Sequence, residues 1–131
     1  MHTEVLVLAW AAVLLFIHIM AAAHLRTRQY GARWNMGARD ETMPPLEPLA
    51  GRALRAQANF LETLPIAVIA LTGVVLAGRT SDATALGGWL WLAARAVYLP
   101  VYLAGIPLLR SAVYGVSVIG LAMALWPLLM P

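Results

Sequence analysis

Apolar residues fall in four long blocks along this chain, with short polar stretches between them. A membrane helix needs about 20 mostly apolar residues. Four windows meet that length, at about 4–25, 53–77, 86–108 and 111–130. Within each block the apolar run is continuous and does not alternate, which predicts helices and argues against barrel strands. The pattern therefore predicts an all-α chain, an integral membrane four-helix bundle forming one domain over residues 1–131. The first block ends in "AAAH", which imitates a signal-peptide cleavage site, but the "MHTE" before it has no basic residue, so the block reads as a retained helix.

The stretch between the first two blocks, "RTRQYGARWNMGARDETMPPLEPLAGR", contains Gly31, Gly37, Pro44, Pro45 and Pro48. Those residues forbid one regular helix. They predict an ordered cap or a partly flexible loop. Pro65 and Pro100 fall inside the second and third blocks and free the carbonyls of Leu61 and Ala96, either opening a crevice or serving packing alone.

Composition supports the membrane reading. Of 131 residues, 62% are hydrophobic and only 11% charged, and the mean hydropathy is +0.78. A soluble domain carries about a quarter charged residues. All nine basic residues are arginine, and there is no cysteine. The chain thus has no disulfide, no thiolate nucleophile and no cysteine metal site, so any thiol chemistry must use a ligand's thiol. His18 and His24 stand apart and form no metal constellation. The net charge of +3 is too small and too localised to suggest nucleic-acid binding.

Charge also gives an expected direction. Arg26, Arg28, Arg33, Arg39 and Arg52 crowd the first loop, the second has Arg79 offset by Asp82, and the third turn carries Arg110. The positive-inside rule places the first and third loops in the cytoplasm. Both termini are then non-cytoplasmic, with Trp89, Trp91 and Trp126 near the outer ends and Tyr30 and Trp34 on the inner side.

A polar stripe interrupts the apolar blocks. Arg52, Arg55, Asn59 and Glu62 are spaced three, four and three residues apart, which puts them on one helix face. Arg95, Tyr98 and Tyr102 do the same in the third block, and Arg110, Ser111 and Tyr114 open the fourth. At about 1.5 Å per residue, Asn59 lies roughly 9 Å and Glu62 roughly 14 Å into the second span. With the third span ending at Leu108, Tyr102 lies roughly 9 Å in, Tyr98 roughly 15 Å and Arg95 roughly 20 Å. If these spans touch, Asn59 meets Tyr102, while Glu62 meets Tyr98 and approaches Arg95. The ladder is a functional candidate, because ionisable groups inside a membrane mark sites. Equally, Glu62 and Arg95 form a register-fixing ion pair, with Tyr98 and Asn59 as interhelical hydrogen-bond glue. Arg55, Arg110 and Ser111 sit at a mouth where an anionic ligand can reach them. A proton or ion path is disfavoured, since nothing polar follows Thr72 in the second span.

The second block's "RAQANFLE" resembles the arginine-x-x-x-asparagine-x-x-glutamate signature of the MAPEG family, the membrane-associated proteins of eicosanoid and glutathione metabolism. "ARAVYLPVY" resembles that family's tyrosine-bearing helix, and "RSAVY" the start of the fourth helix in its prostaglandin E synthase branch. "GARDETMPPLEPLAGRALRA" resembles the short bacterial members, which together with the short loops implies a bacterial inner membrane. The resemblance covers nearly the whole chain. It implies a homotrimer of four-helix subunits with glutathione held between subunits near the cytoplasmic side. It makes Arg55, Asn59, Glu62, Tyr98, Tyr102 and Tyr114 the glutathione-binding residues, with Arg110 or Ser111 stabilising the thiolate. The implied activity is glutathione transfer or peroxide reduction on a hydrophobic small molecule or lipid arriving from the bilayer. The alternative within the family is a non-catalytic scaffold. Ala58 stands where some synthases carry a second arginine, and Thr63 where the leukotriene branch has tyrosine.

Overall fold

A computed structural model describes residues 1–130. Its elements are α1 (Thr3–Tyr30), the short α2 (Ala32–Met36), α3 (Pro48–Leu76), α4 (Asp82–Ala104) and α5 (Pro107–Leu129), with no strand among the described residues. Three of these helices, α1, α3 and α5, are long and apolar enough to cross a membrane. The fourth long helix, α4, is not among them. It has the 23-residue length of α5, but Gly87, Gly88, Arg95, Tyr98 and Tyr102 lower its hydropathy.

The helix ends follow local chemistry. Ser81 caps α4 in a capping box: its side chain accepts from the Thr84 N–H, and the Thr84 hydroxyl oxygen accepts from the Ser81 N–H. At the other end Gly105 adopts a left-handed conformation at φ 74°, and Pro107 opens α5 two residues later. Glycine past one helix end and proline at the start of the next is the expected asymmetry. The break therefore falls at Gly105 and Ile106, and Leu108 belongs to α5 instead of ending the preceding helix.

One apolar core joins the long helices. Val7, Ala11 and Leu14 of α1 pack with Phe60, Ala67, Ala70 and Leu71 of α3, Trp91 and Leu92 of α4, and Leu121 and Ala124 of α5. On α3 the buried positions Ala53, Ala56, Phe60, Thr63, Ala67 and Ala70 repeat at helical spacing. The helices α4 and α5 are in close backbone contact at Gly87 and Gly120. Small residues permit such approach in membrane helices, where packing holds helices together.

Polar anchors close both ends of the bundle. Glu4 is buried in the first turn of α1, and the Thr84 hydroxyl donates to its carboxylate. The Arg79 guanidinium donates to the carbonyls of Pro127 and Met130, at 2.6 and 2.7 Å, where the α5 carbonyls run out of helical partners. At the arginine-rich end, residues 37–47 turn back on α1. The Gln29 side-chain amide donates through Nε2 to the Pro45 carbonyl and accepts at Oε1 from the Glu47 N–H, and the Tyr30 hydroxyl donates to the Pro44 carbonyl. These contacts hold residues 44–47 as a cap on the end of α1.

Candidate functional site

The polar stripe on α3 runs beside the buried stripe, one residue ahead of it at each turn. Arg52, Arg55, Asn59 and Glu62 precede the buried Ala53, Ala56, Phe60 and Thr63. One residue is a rotation of about 100°, so the polar side chains flank the α3 core face. Arg52 and Arg55 turn towards α4. Arg52 donates to the Leu103 carbonyl at 3.1 Å, near the C-terminal end of α4. The Nε of Arg55 donates to the Tyr102 hydroxyl at 3.3 Å. Gly51 leaves room for the Arg55 guanidinium, since a Cβ there would lie 3.1 Å from its Nη1.

Two adjoining cavities gather most of the predicted residues. Asn59, Tyr98, Arg110, Ser111 and Tyr114 line one of about 230 Å³. Arg52, Arg55, Tyr102 and Arg110 line the other, of about 250 Å³, together with Gly105, Ile106 and Pro107 from the α4–α5 turn. Arg110 belongs to both, and its guanidinium sits 5.2 Å from the centre of the Tyr102 ring. Tyr98 lies 5.5 Å from Tyr102 and 6.3 Å from Tyr114, ring centre to ring centre. Arg110 and Ser111 occupy the first turns of α5, where the helix dipole adds positive potential to three guanidinium groups. The Ser111 hydroxyl donates to the Pro107 carbonyl at 3.3 Å. The Oδ1 of Asn59 is buried without a hydrogen-bond partner among the described residues.

The expected pairing between spans is shifted by about one turn. Tyr102 meets Arg55, and Asn59 shares its cavity with Tyr98. The cause is the helix break: α4 ends at Ala104, four residues before Leu108, so its side chains lie about 6 Å nearer the arginine-rich end.

Glu62 is not brought into the cluster. Its side chain is exposed on the flank of α3 and lines neither cavity. Nor does it pair with Arg95, whose three guanidinium nitrogens are buried with no partner among the described residues. Arg95 instead faces the rings of Tyr98, Phe60 and Tyr114, at 4.3, 5.5 and 5.7 Å from their centres. The register-fixing ion pair is therefore not formed in the subunit. Depth along the helices puts Glu62 and Arg95 near one level, but inward-pointing Phe60 occupies the space between α3 and Arg95.

Residues 7–130 match the model of the MAPEG family. The chain belongs to the MAPEG family. No curated protein and no solved structure matches it. As a MAPEG protein with three membrane-capable helices, it is a multi-pass integral membrane protein. The MAPEG chain also carries an apolar groove of about 430 Å³ along α1 and α4, lined by Trp10, Val13, Leu14, Ile17, Trp89, Leu92, Ala93 and Ala96. It shares no residue with the polar cavities. The α4–α5 turn is the part of the site that the residue spacing alone missed. Its signal was the Gly-x-Pro of "AGIPLL" beside Arg110.

Proposed function

We propose that this MAPEG protein binds glutathione in the joined polar cavities, on the cytoplasmic side of a four-span bundle assembled as a homotrimer. The observation that carries the reading is the convergence of Arg55, Asn59, Tyr98, Tyr102, Arg110, Ser111 and Tyr114 from three helices onto two adjoining cavities. The residue chemistry fits the ligand. Glutathione has two carboxylates, an ammonium group and a thiol. Arg52, Arg55 and Arg110 offer planar guanidinium forks for carboxylates. The phenols and Ser111 offer hydroxyl donors, and Asn59 keeps a free acceptor.

Glu62 supports the trimeric part of the reading. An ionised carboxylate on a membrane-spanning surface is costly against acyl chains. A neighbouring subunit, or a ligand ammonium held between subunits, relieves that cost. Bound there, glutathione supplies the nucleophile for transfer to an electrophile or for reduction of a peroxide, with the second substrate entering from the bilayer. Arg110 and the N-terminal turn of α5 favour negative charge at that end of the site. Arg55, oriented by Tyr102, holds a ligand carboxylate at the rim.

The test is a calorimetric titration of the purified protein in detergent with glutathione. Binding is expected, with affinity at least tenfold weaker in Arg55→Ala and in Arg110→Ala. No binding, or unchanged affinity in both variants, sinks the reading. Ultraviolet thiolate absorbance of the bound ligand near neutral pH separates an enzyme from a scaffold, which shows none.

A further inference from the structure

Arg95 is a full positive charge sealed inside the bundle. It is 0% exposed, and its Nε and both Nη atoms lack hydrogen-bond partners among the described residues. An ion taken out of water without a counter-ion is strongly disfavoured. Three ring faces offset only part of that cost. No carboxylate supplies the rest at close range: Glu62, whose charge reaches Arg95 from the α3 flank, is exposed and forms no ion pair with it. Yet two of the three rings that touch Arg95, Tyr98 and Tyr114, also line the polar cavity with Arg110 and Ser111. Each of these rings thus contacts a buried cation and a ligand-sized space. A negative charge in that space would be the missing counter-charge, separated from Arg95 by the two aromatic rings.

We propose that Arg95 is a positioning residue that makes the cavity selective for an anionic ligand atom, holding Tyr98 and Tyr114 towards it and favouring the ionised form of the ligand's sulfur. The inference rests on the glutathione reading. Arg110 supplies charge at the mouth, and Arg95 supplies it from behind the tyrosines, out of reach of solvent screening. Because the charge is buried, its influence persists at salt concentrations that weaken the exposed arginines. Arg95 touches no ligand and acts through the field it sets and the rings it supports.

The experiment compares the unaltered protein with Arg95→Met and Arg95→Lys in detergent, using glutathione and S-methylglutathione, whose sulfur cannot ionise. S-methylglutathione should bind Arg95→Lys within about twofold of the unaltered protein, and in Arg95→Met it should weaken less than glutathione does. In Arg95→Met the pH midpoint for ionisation of bound glutathione, read from thiolate absorbance, should rise by about one unit, a tenfold change in the ionisation constant. Arg95→Lys, which keeps the charge, should hold the midpoint near that of the unaltered protein. A purely structural role predicts that both ligands weaken together with an unmoved midpoint, and that result overturns the inference while leaving the glutathione reading intact. Failure of both ligands to bind the unaltered protein overturns both. Should Arg95→Met not fold, Arg95→Gln, neutral but polar, decides by the same midpoint.

Discussion

Gly87 of α4 and Gly120 of α5 meet backbone to backbone. A Cβ on Gly87 would stand 2.7 Å from the Gly120 carbonyl oxygen, and one on Gly120 would stand 2.6 Å from that of Gly87. Neither neighbour can rotate away, because both are main chain. Gly87→Ala or Gly120→Ala should destabilise the protein by about 1–3 kcal/mol, the usual cost of overpacking. Gly115→Ala is the control. It lies on the same α5, a Cβ there meets nothing within 4 Å, and alanine is the better helix former, so this variant should hold or slightly raise stability. Thermal unfolding in detergent reads all three.

Thr84 couples the start of α4 to α1. Its hydroxyl donates to the buried Glu4 carboxylate and its oxygen completes the capping box with Ser81. Thr84→Val keeps the shape and removes both roles, leaving a carboxylate buried without its donor. The expected loss is about 2–3 kcal/mol. Glu4→Gln, which retains a carbonyl acceptor, should lose less. Denaturant unfolding monitored by helical circular dichroism orders the two.

Much of the candidate site's geometry was legible in the sequence, and the misreadings have definite causes. The three-and-four spacing of Arg52, Arg55, Asn59 and Glu62 identified one helix face, and the structure puts the first three of them at the cavities. Continuous apolar runs mark where helices lie, but they do not register a backbone break. Ile106, Leu108 and Leu109 keep the sequence apolar through the turn at Gly105, so the third window ran four residues too far and the cross-span pairs slid by one turn. Depth arithmetic also has no angular coordinate. It brought Glu62 to the level of Tyr98 and towards Arg95 without showing that Phe60 faces Arg95 while Glu62 is exposed on the flank. The role of Glu4 depends on Thr84, 80 residues away, a contact that only the packed helices create.

Tyr102→Phe removes the acceptor that orients Arg55. The bond is exposed, so stability should change by less than about 0.5 kcal/mol. Glutathione affinity should nevertheless fall several-fold, because the guanidinium fork is no longer held at the rim. Unfolding and calorimetric titration of the same preparation separate these effects, and an unchanged affinity would remove Tyr102 from the proposed site.

Glu62→Gln distinguishes a structural ion pair from a ligand or subunit contact. Breaking a buried pair by removing one partner costs about 3–5 kcal/mol. Glu62 is exposed in the subunit, so unfolding of the subunit should shift by less than about 0.5 kcal/mol. Glutathione affinity should drop by about tenfold. A large loss of subunit stability would show that the carboxylate serves packing.

The one-residue offset between the polar and buried stripes of α3 bears on how this protein can change over generations. Substitutions at positions 52, 55, 59 and 62 alter what the cavities and the exposed flank can hold, while those at 53, 56, 60 and 63 alter how the helix seats. The two sets interleave in the chain but point to different neighbours. A lineage can thus revise the lining of the cavities along α3 without first repairing its core, whereas a single residue inserted ahead of Arg52 would turn the polar set onto the core face and the core set off it, and forfeit both at once.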